Sequence, residues 1–360
     1  MNTSGEPLSL AARLADRRSS GRAHPHGMKW TYVTRRVMPG LSTLVGPRVH
    51  DPRSGDLVVC RVTRIGAHDH CEDRWGRHVR LWPGDLLVGA LGNRYATDFY
   101  EGYVPRGSRT HLLTAGGLIG DVLAAHDAHM APTELEVIGA VVDDDMRPLS
   151  TEDFAAPTPP PGRPRQATIA VVGSGMNAGK TTTVASIVHG CTQAGLRVGA
   201  GKVTGSGSGK DRWSYIDSGA HSVADFLDFG MPSTFGYPLE RLADTMFAIR
   251  DTLAAEGAAV VVLEIADGLL MPETSGLLER LSGIADSVVL AAVDALSARS
   301  GVEILRGLGL PVHVLSGLVS RSPLASREAT ETTGLPVFTP KALAASAALE
   351  LLGASTNTAA

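Results

Sequence analysis

The sequence predicts a two-part molecule: a small all-β, barrel-like domain over residues 28–154, then an α/β domain with a parallel sheet over residues 168–353. Three observations carry this. Residues 28–154 hold short apolar runs separated by turn signals. Residues 155–167, AAPTPPPGRPRQA, are proline-rich and read as a linker, because proline favours extended backbone and forbids helix. Residues after 168 alternate strand-like and helical patterns. The length agrees: 360 residues at about 150 per domain make two.

Composition removes several classes. At 43% hydrophobic and 19% charged the chain has material for sizeable cores and is not disordered. With 33 basic against 37 acidic residues the formal charge is −4, and aromatics are only 5%, so a basic or base-stacking nucleic-acid surface is not expected. Three scattered cysteines, Cys60, Cys71 and Cys191, do not make a disulfide framework and fit a reducing cytoplasm. The longest apolar stretches, 258–263 and 288–293, end in Glu264 and Asp294, far short of the roughly 20 residues of a membrane span. Residues 1–27 mix Ser, Gly, Arg and Pro without periodicity and are expected to be a mobile tail. Their apolar run precedes Arg13, Arg17 and Arg18, the reverse of a secretory signal. The expectation is a soluble, cytoplasmic protein with no membrane and no nucleic-acid partner.

In the first domain the predicted strands are 57–63, 79–82, 86–90 and 135–142, punctuated by Pro52-Arg53-Ser54-Gly55, Pro83-Gly84 and Gly116-Gly117. The stretch from His68 to Asp73 offers His, Cys and acid side chains. It reads either as a metal site or as a hairpin tip, although zinc ligands usually come in separated pairs. Residues 92–100, GNRYATDFY, gather aromatic and hydrogen-bonding groups that could face a ligand or simply pack the barrel.

In the second domain strands are predicted at 168–172, 198–203, 259–265, 287–293 and 312–319, each nearly continuously apolar, as in a parallel sheet covered on both faces. Leu239, Leu242, Met246, Ile249 and Leu253 step by three and four along one helix face, and Val184, Ile187, Val188 and Cys191 do the same.

The first of these strands runs into Gly173-Ser174-Gly175-Met176-Asn177-Ala178-Gly179-Lys180-Thr181-Thr182. The strict phosphate-loop pattern G-x-x-x-x-G-K-[ST] would have glycine where Ser174 stands. Gly179-Lys180-Thr181 and the strand–loop–helix context are intact. Loop amides and the positive end of the helix dipole suit phosphate oxygens. Residues Gly175 to Thr182 are therefore the predicted nucleotide cradle, with Lys180 on the terminal phosphates and the Thr181 hydroxyl able to ligate Mg²⁺. A second acidic feature supports this: the strand 259–264 ends in Glu264, with Asp267 close behind, where open α/β sheets bind ligands. The expectation is a P-loop NTPase domain that binds a nucleoside triphosphate, or at least a polyphosphate.

The order of motifs resembles dethiobiotin synthetase over about residues 168–340. They are the loop, then Arg197-Val198-Gly199-Ala200-Gly201-Lys202-Val203-Thr204-Gly205, then Asp217, then LEIADGLLMPET. The resemblance implies Mg–ATP chemistry. Lys180 would contact the β- and γ-phosphates, and Thr181, Asp217 and Glu264 would hold Mg²⁺. Lys202, expected beside the phosphate-loop strand, would serve the substrate and the transferred phosphoryl group. Two departures are visible. Ile265-Ala266-Asp267-Gly268 replaces a run of small residues, which alters the substrate floor, and Ser320 stands in the region where the family has an adenine-reading Asn. A looser likeness is to the phosphate-loop proteins that include D-amino-acid N-acetyltransferases, which also carry a domain ahead of this fold.

Three further readings remain open. Residues 205–213, GSGSGKDRW, could be a lid over the substrate or an ordinary exposed loop carrying Lys210, Asp211 and Arg212. Asp217 and His221 would share a face if residues 218–226 are helical, making His221 either a general base or a surface group. Lys202 calls for an anionic partner, either Asp217 or the phosphoryl group itself. The functional expectation is phosphoryl transfer from Mg–ATP to a carboxylate or carbamate oxygen of a small molecule, by Lys180, Lys202 and Glu264. A nucleotide-driven switch and an acyl transfer are the alternatives, and a homodimer is left open.

Overall fold

In the computed structural model the described residues are 27–37, 44–159 and 166–353. The predicted tail falls outside them except for Gly27, and so do residues 160–165 of the predicted linker. The chain forms two compact units.

The first unit contains β1 (Lys29–Trp30), β2 (Leu44–Val45), β3 (Leu57–Arg64), β4 (His70–Glu72), β5 (His78–Arg80) and β6 (Leu86–Leu91). It continues with β7 (Arg94–Tyr95), β8 (Tyr100–Tyr103), β9 (Arg109–Leu112), β10 (Leu118–Ala125) and β11 (Glu134–Val142). Neighbours run β6–β3–β11–β9–β10, and β10 returns to pair with β6, so five strands close on themselves. The closing pair is parallel; the other four are antiparallel. Closure removes the exposed sheet edges that would otherwise template aggregation. Alternate residues face inward, and Val58, Cys60, Val62, Leu87, Leu112, Ile119 and Leu135 fill the interior. The segment His68–Asp73 is not a hairpin tip. His70–Glu72 is itself a strand paired with β5, and the turn lies at the residues between β4 and β5. Among the described residues no group of three or more His, Cys, Asp or Glu is placed to hold a metal ion.

The second unit is an α/β domain. Its sheet is β12 (Ala167–Gly173), β13 (Val198–Lys202), β14 (Ser222–Asp225), β15 (Val260–Glu264), β16 (Ser287–Ala291) and β17 (Val312–Ser316), all parallel, in the order β14–β13–β15–β12–β16–β17. Its longer helices are α1 (Lys180–Gln193), α2 (Gly209–Asp217), α3 (Leu239–Ala255), α4 (Pro272–Leu281), α5 (Ala295–Gly307) and α6 (Pro323–Thr333). The predicted stripes are the buried ones. Leu242, Met246, Ile249 and Leu253 of α3 are at most 1% exposed, and Val184, Ile187, Val188 and Cys191 of α1 are fully buried. None of the helices among the described residues is long and apolar enough to cross a membrane.

Three expectations are corrected. Residues 218–226 are not helical, because Ser222–Asp225 forms edge strand β14, extended against β13. Strand β13 is not beside the loop strand β12; β15 lies between them. The third concerns the domain boundary. Ser206–Gly209 and Leu227–Phe235, within the span predicted to be wholly α/β, belong to the barrel unit. Glu72 accepts hydrogen bonds from Ser208 Oγ at 2.9 Å and from the Gly209 amide at 2.7 Å. Asp228 pairs with Arg35 at 2.9 Å, and Ser233 Oγ donates to the Asn93 carbonyl at 2.6 Å. The aromatic stretch 92–100 is therefore occupied by the protein's own chain: Tyr95 packs on Phe235, ring centroids 5.3 Å apart.

Candidate functional site

All six strands of the second unit are parallel, so their carboxyl ends lie on one edge and the segments that follow β12, β13 and β15 converge there. After β12 the chain turns through residues 174–179 into α1. Ser174 is the residue that breaks the strict loop pattern, and it ties the loop to β16. Its amide donates to the Ala291 carbonyl at 2.9 Å, and its Oγ accepts from the Val293 amide at 3.3 Å. A Cβ at Gly173 would lie 2.8 Å from the Lys180 side chain, so glycine there leaves room for the lysine to fold back over the loop. Gly179 has φ +101°, the left-handed region, and precedes α1 directly. Of the residues before it, Met176 is half-buried, Asn177 exposed and Ala178 buried. Thr182, on the first turn of α1, is exposed.

Lys180 is 6% exposed. Its ammonium donates to the Gly175 carbonyl at 2.9 Å and to the Asp267 carbonyl. Burial holds it below the ordinary lysine value, against the pull of Glu264 and Asp267. Glu264, at the end of β15, is 1% exposed. It accepts from the Thr181 hydroxyl at 3.1 Å and from the Tyr215 hydroxyl. Burial, and after it the Glu264 charge, push the Tyr215 hydroxyl well above its usual range, so Tyr215 is a donor at neutral pH.

Lys202 ends β13 in register with Glu264. Its ammonium is 3.7 Å from Glu264 Oε1 and forms an ion pair with Asp211. Burial alone would lower the Lys202 pKa, but Asp211 and Glu264 outweigh it and raise it. Burial likewise favours neutral Asp211, and Lys202 reverses that, holding its carboxyl below the usual range. Thr181 adds a smaller pull in the same direction.

The structure thus brings together Lys180, Thr181, Lys202 and Glu264, and adds Asp211 and Tyr215, which sequence reasoning did not select for the site. It does not bring Asp217 to them. Asp217 is exposed at the end of α2, six residues after Asp211 and so about 240° further round the helix. Residues 205–213 are not one exposed loop either, since Gly209–Asp217 is helix and Asp211 turns inward. The usable signal was the i, i+4 spacing of Asp211 and Tyr215, which places both on one face of a helix. His221 is exposed, with Nε2 3.0 Å from the Glu256 carbonyl, outside the cluster. Ser320 is buried and its hydroxyl donates to the Gly317 carbonyl.

The donors of Thr181, Asp211 and Glu264 are all oxygens, the chemistry that suits Mg²⁺. Two carboxylates and a hydroxyl leave positions for water and phosphate oxygens, as Mg²⁺ prefers. The sheet order, the strand–loop–helix junction and the buried lysine make this unit a P-loop NTPase domain in fold.

No family model matches the chain, and no curated protein does. Among solved structures, the signal recognition particle receptor FtsY of Elizabethkingia anophelis aligns with 55% of this chain and 68% of its own, at 18% identity and a TM-score of 0.35. The ParA family ATPase of Chlorobium tepidum TLS aligns with 49% of this chain and 83% of its own, at 15% identity and 0.32. The 54 kDa signal recognition particle protein of Aeropyrum pernix K1, solved with GDP, covers 56% of this chain and 48% of its own, at 16% identity and 0.36. The fold rests on this chain's own loop and sheet.

Proposed function

We propose that the protein is a Mg²⁺–nucleotide-dependent enzyme that transfers a phosphoryl group from a nucleoside triphosphate, ATP foremost, to a carboxylate or carbamate oxygen of a small molecule. The observation that supports this reading is Lys202, a second lysine, half-buried at the strand-end cluster that already holds Lys180. One lysine serves the triphosphate. A second, fixed by two carboxylates, is suited to charge that develops on the acceptor side.

The residues divide the work as follows. The loop from Gly175 to Thr182 holds the phosphates through its amides and the amino end of α1. Lys180 leaves its two carbonyl partners and neutralises the terminal phosphates. Thr181, Glu264 and Asp211 would hold Mg²⁺, which supplies charge neutralisation between phosphate oxygens. Tyr215 keeps one oxygen of Glu264 engaged and so fixes the orientation of the carboxylate. Lys202 stays protonated and keeps a fixed positive charge beside the reacting group.

A second reading, acyl transfer with the loop holding a coenzyme A phosphate, draws support from the barrel unit ahead of the P-loop unit, an arrangement shared with the acyltransferases the sequence partly resembles. Titration calorimetry with Mg–ATP, Mg–GTP and acetyl-coenzyme A, followed by phosphate release with metabolite mixtures, separates the readings. Mg–ATP binding with hydrolysis that rises on adding a metabolite is the expected result. Acetyl-coenzyme A binding without Mg–ATP binding would replace phosphoryl by acyl transfer. Slow hydrolysis indifferent to metabolites would leave a switch.

A further inference from the structure

The barrel unit holds a cavity of about 270 Å³. Its floor is apolar: Val58, Leu91 and Val137 are core side chains, 2%, 2% and 9% exposed. Its rim carries Arg48, His50 and Arg106, and none of the residues that line it is acidic.

Most described arginines of the unit pair with a carboxylate, and Arg74 donates to the Arg35 and Val37 carbonyls instead. Arg36, Arg53, Arg61, Arg64, Arg80 and Arg147 each have a carboxylate partner within 4 Å. Arg48 and Arg106 form no ion pair among the described residues, although both line the same cavity. Two guanidinium groups gathered without a counter-charge among the described residues repel one another, and an anion between them relieves that repulsion. A planar guanidinium matches a carboxylate edge to edge. The apolar floor asks in addition for a ligand with a hydrocarbon body, because a bare inorganic ion would leave it in contact with water.

We propose that this cavity binds a small organic carboxylate with an apolar body. Its head group is held by Arg48 and Arg106, with His50 beside it, and its hydrocarbon part lies on Val58, Leu91 and Val137. The cavity is a little smaller than the usual 300–1,000 Å³ ligand pocket, which fits a short-chain acid. The inference concerns only the barrel and stands whether or not the nucleotide chemistry above is right.

The test is calorimetry on the full-length protein with sodium hexanoate, acetate and inorganic phosphate, repeated on the R48Q/R106Q double variant. Both substitutions are at exposed positions, and a thermal melt checks that the variant folds. Hexanoate is expected to bind saturably and at least about tenfold more tightly than acetate, through its buried methylenes. The double variant is expected to weaken it by about tenfold or more, with Mg–ATP affinity in the same sample unchanged. Hexanoate affinity equal in wild type and variant would overturn the site, as would no saturable hexanoate binding. Phosphate binding more tightly than hexanoate would overturn the carboxylate assignment in favour of an inorganic anion.

Discussion

The two units handle charge in opposite ways. In the α/β unit, Lys180, Lys202, Asp211 and Glu264 share one partly buried network at the strand ends. In the barrel unit most pairs are dispersed over the outside, as in Arg61–Glu136 at 3.6 Å, Arg64–Glu134 at 2.6 Å and Arg80–Asp69 at 3.0 Å, while Lys29–Asp85 and Arg35–Asp228 are less exposed. The topology accounts for the difference. Parallel strands deliver every carboxyl end to one edge, so residues distant in sequence meet there. Mostly antiparallel strands alternate their ends, and a closed ring has no edge at which such a cluster could form. Charge that is concentrated and buried costs stability and serves chemistry, whereas exposed pairs contribute little to either.

The largest expected effect tests whether the concentrated cluster is a phosphate site. Lys180→Ala should weaken Mg–ATP binding by about a thousandfold, about 4 kcal/mol, with a nearly unchanged melting temperature. Unaltered affinity in calorimetry would make the cluster a structural network and remove the contrast between the units.

Next comes the division between stability and chemistry at Lys202. Lys202→Met removes the cation that pairs with both Asp211 and Glu264, and should lose about 3 kcal/mol of stability in urea unfolding and about a hundredfold in turnover. Adding Asp211→Asn should recover most of the stability and none of the turnover. If the double variant recovered both, Lys202 would be no more than half of an ion pair.

The barrel's contrasting feature is a buried neutral group. His68 is 9% exposed, and burial first, then Arg94, lower its pKa to about 3 from 6.5. In the unfolded chain it takes a proton near 6.5, so below that pH the unfolded state binds more protons and stability falls with falling pH until about 3. At pH 5 the loss should be about 2 kcal/mol, and His68→Leu should flatten stability between pH 6.5 and 5. An unchanged slope would assign the acid sensitivity to other groups.

The smallest effect is at Asp217. Asp217→Ala should change stability by less than about 0.5 kcal/mol, as at other exposed sites, and leave the Mg²⁺ dependence of turnover alone. A raised Mg²⁺ requirement in this variant, with none in Asp211→Asn, would return the metal role to Asp217.

Much of this was legible in the chain because it is written locally. The stripes of α1 and α3 follow a 3.6-residue period, the strands of the second unit are short apolar runs, and Gly179-Lys180-Thr181 sits where a strand meets a helix. Each is decided within about 20 residues. Glu264 was legible for the same reason, as the first charge after a buried strand. The exchange of Asp217 for Asp211 was not legible, because both acids follow Lys202 and only the helical phase of α2 decides which one turns inward. The assignment of Ser206–Gly209 and Leu227–Phe235 to the barrel, the closure of β10 onto β6 and the insertion of β15 between β12 and β13 are of the same kind. Local propensity and periodicity determine which segments become helix, strand or phosphate loop, since those choices are made among neighbours in sequence. Strand order, ring closure and the partner of each buried charge are chosen among residues far apart in the chain, by packing and by the cost of leaving a buried charge unpaired, and only the tertiary structure decides them.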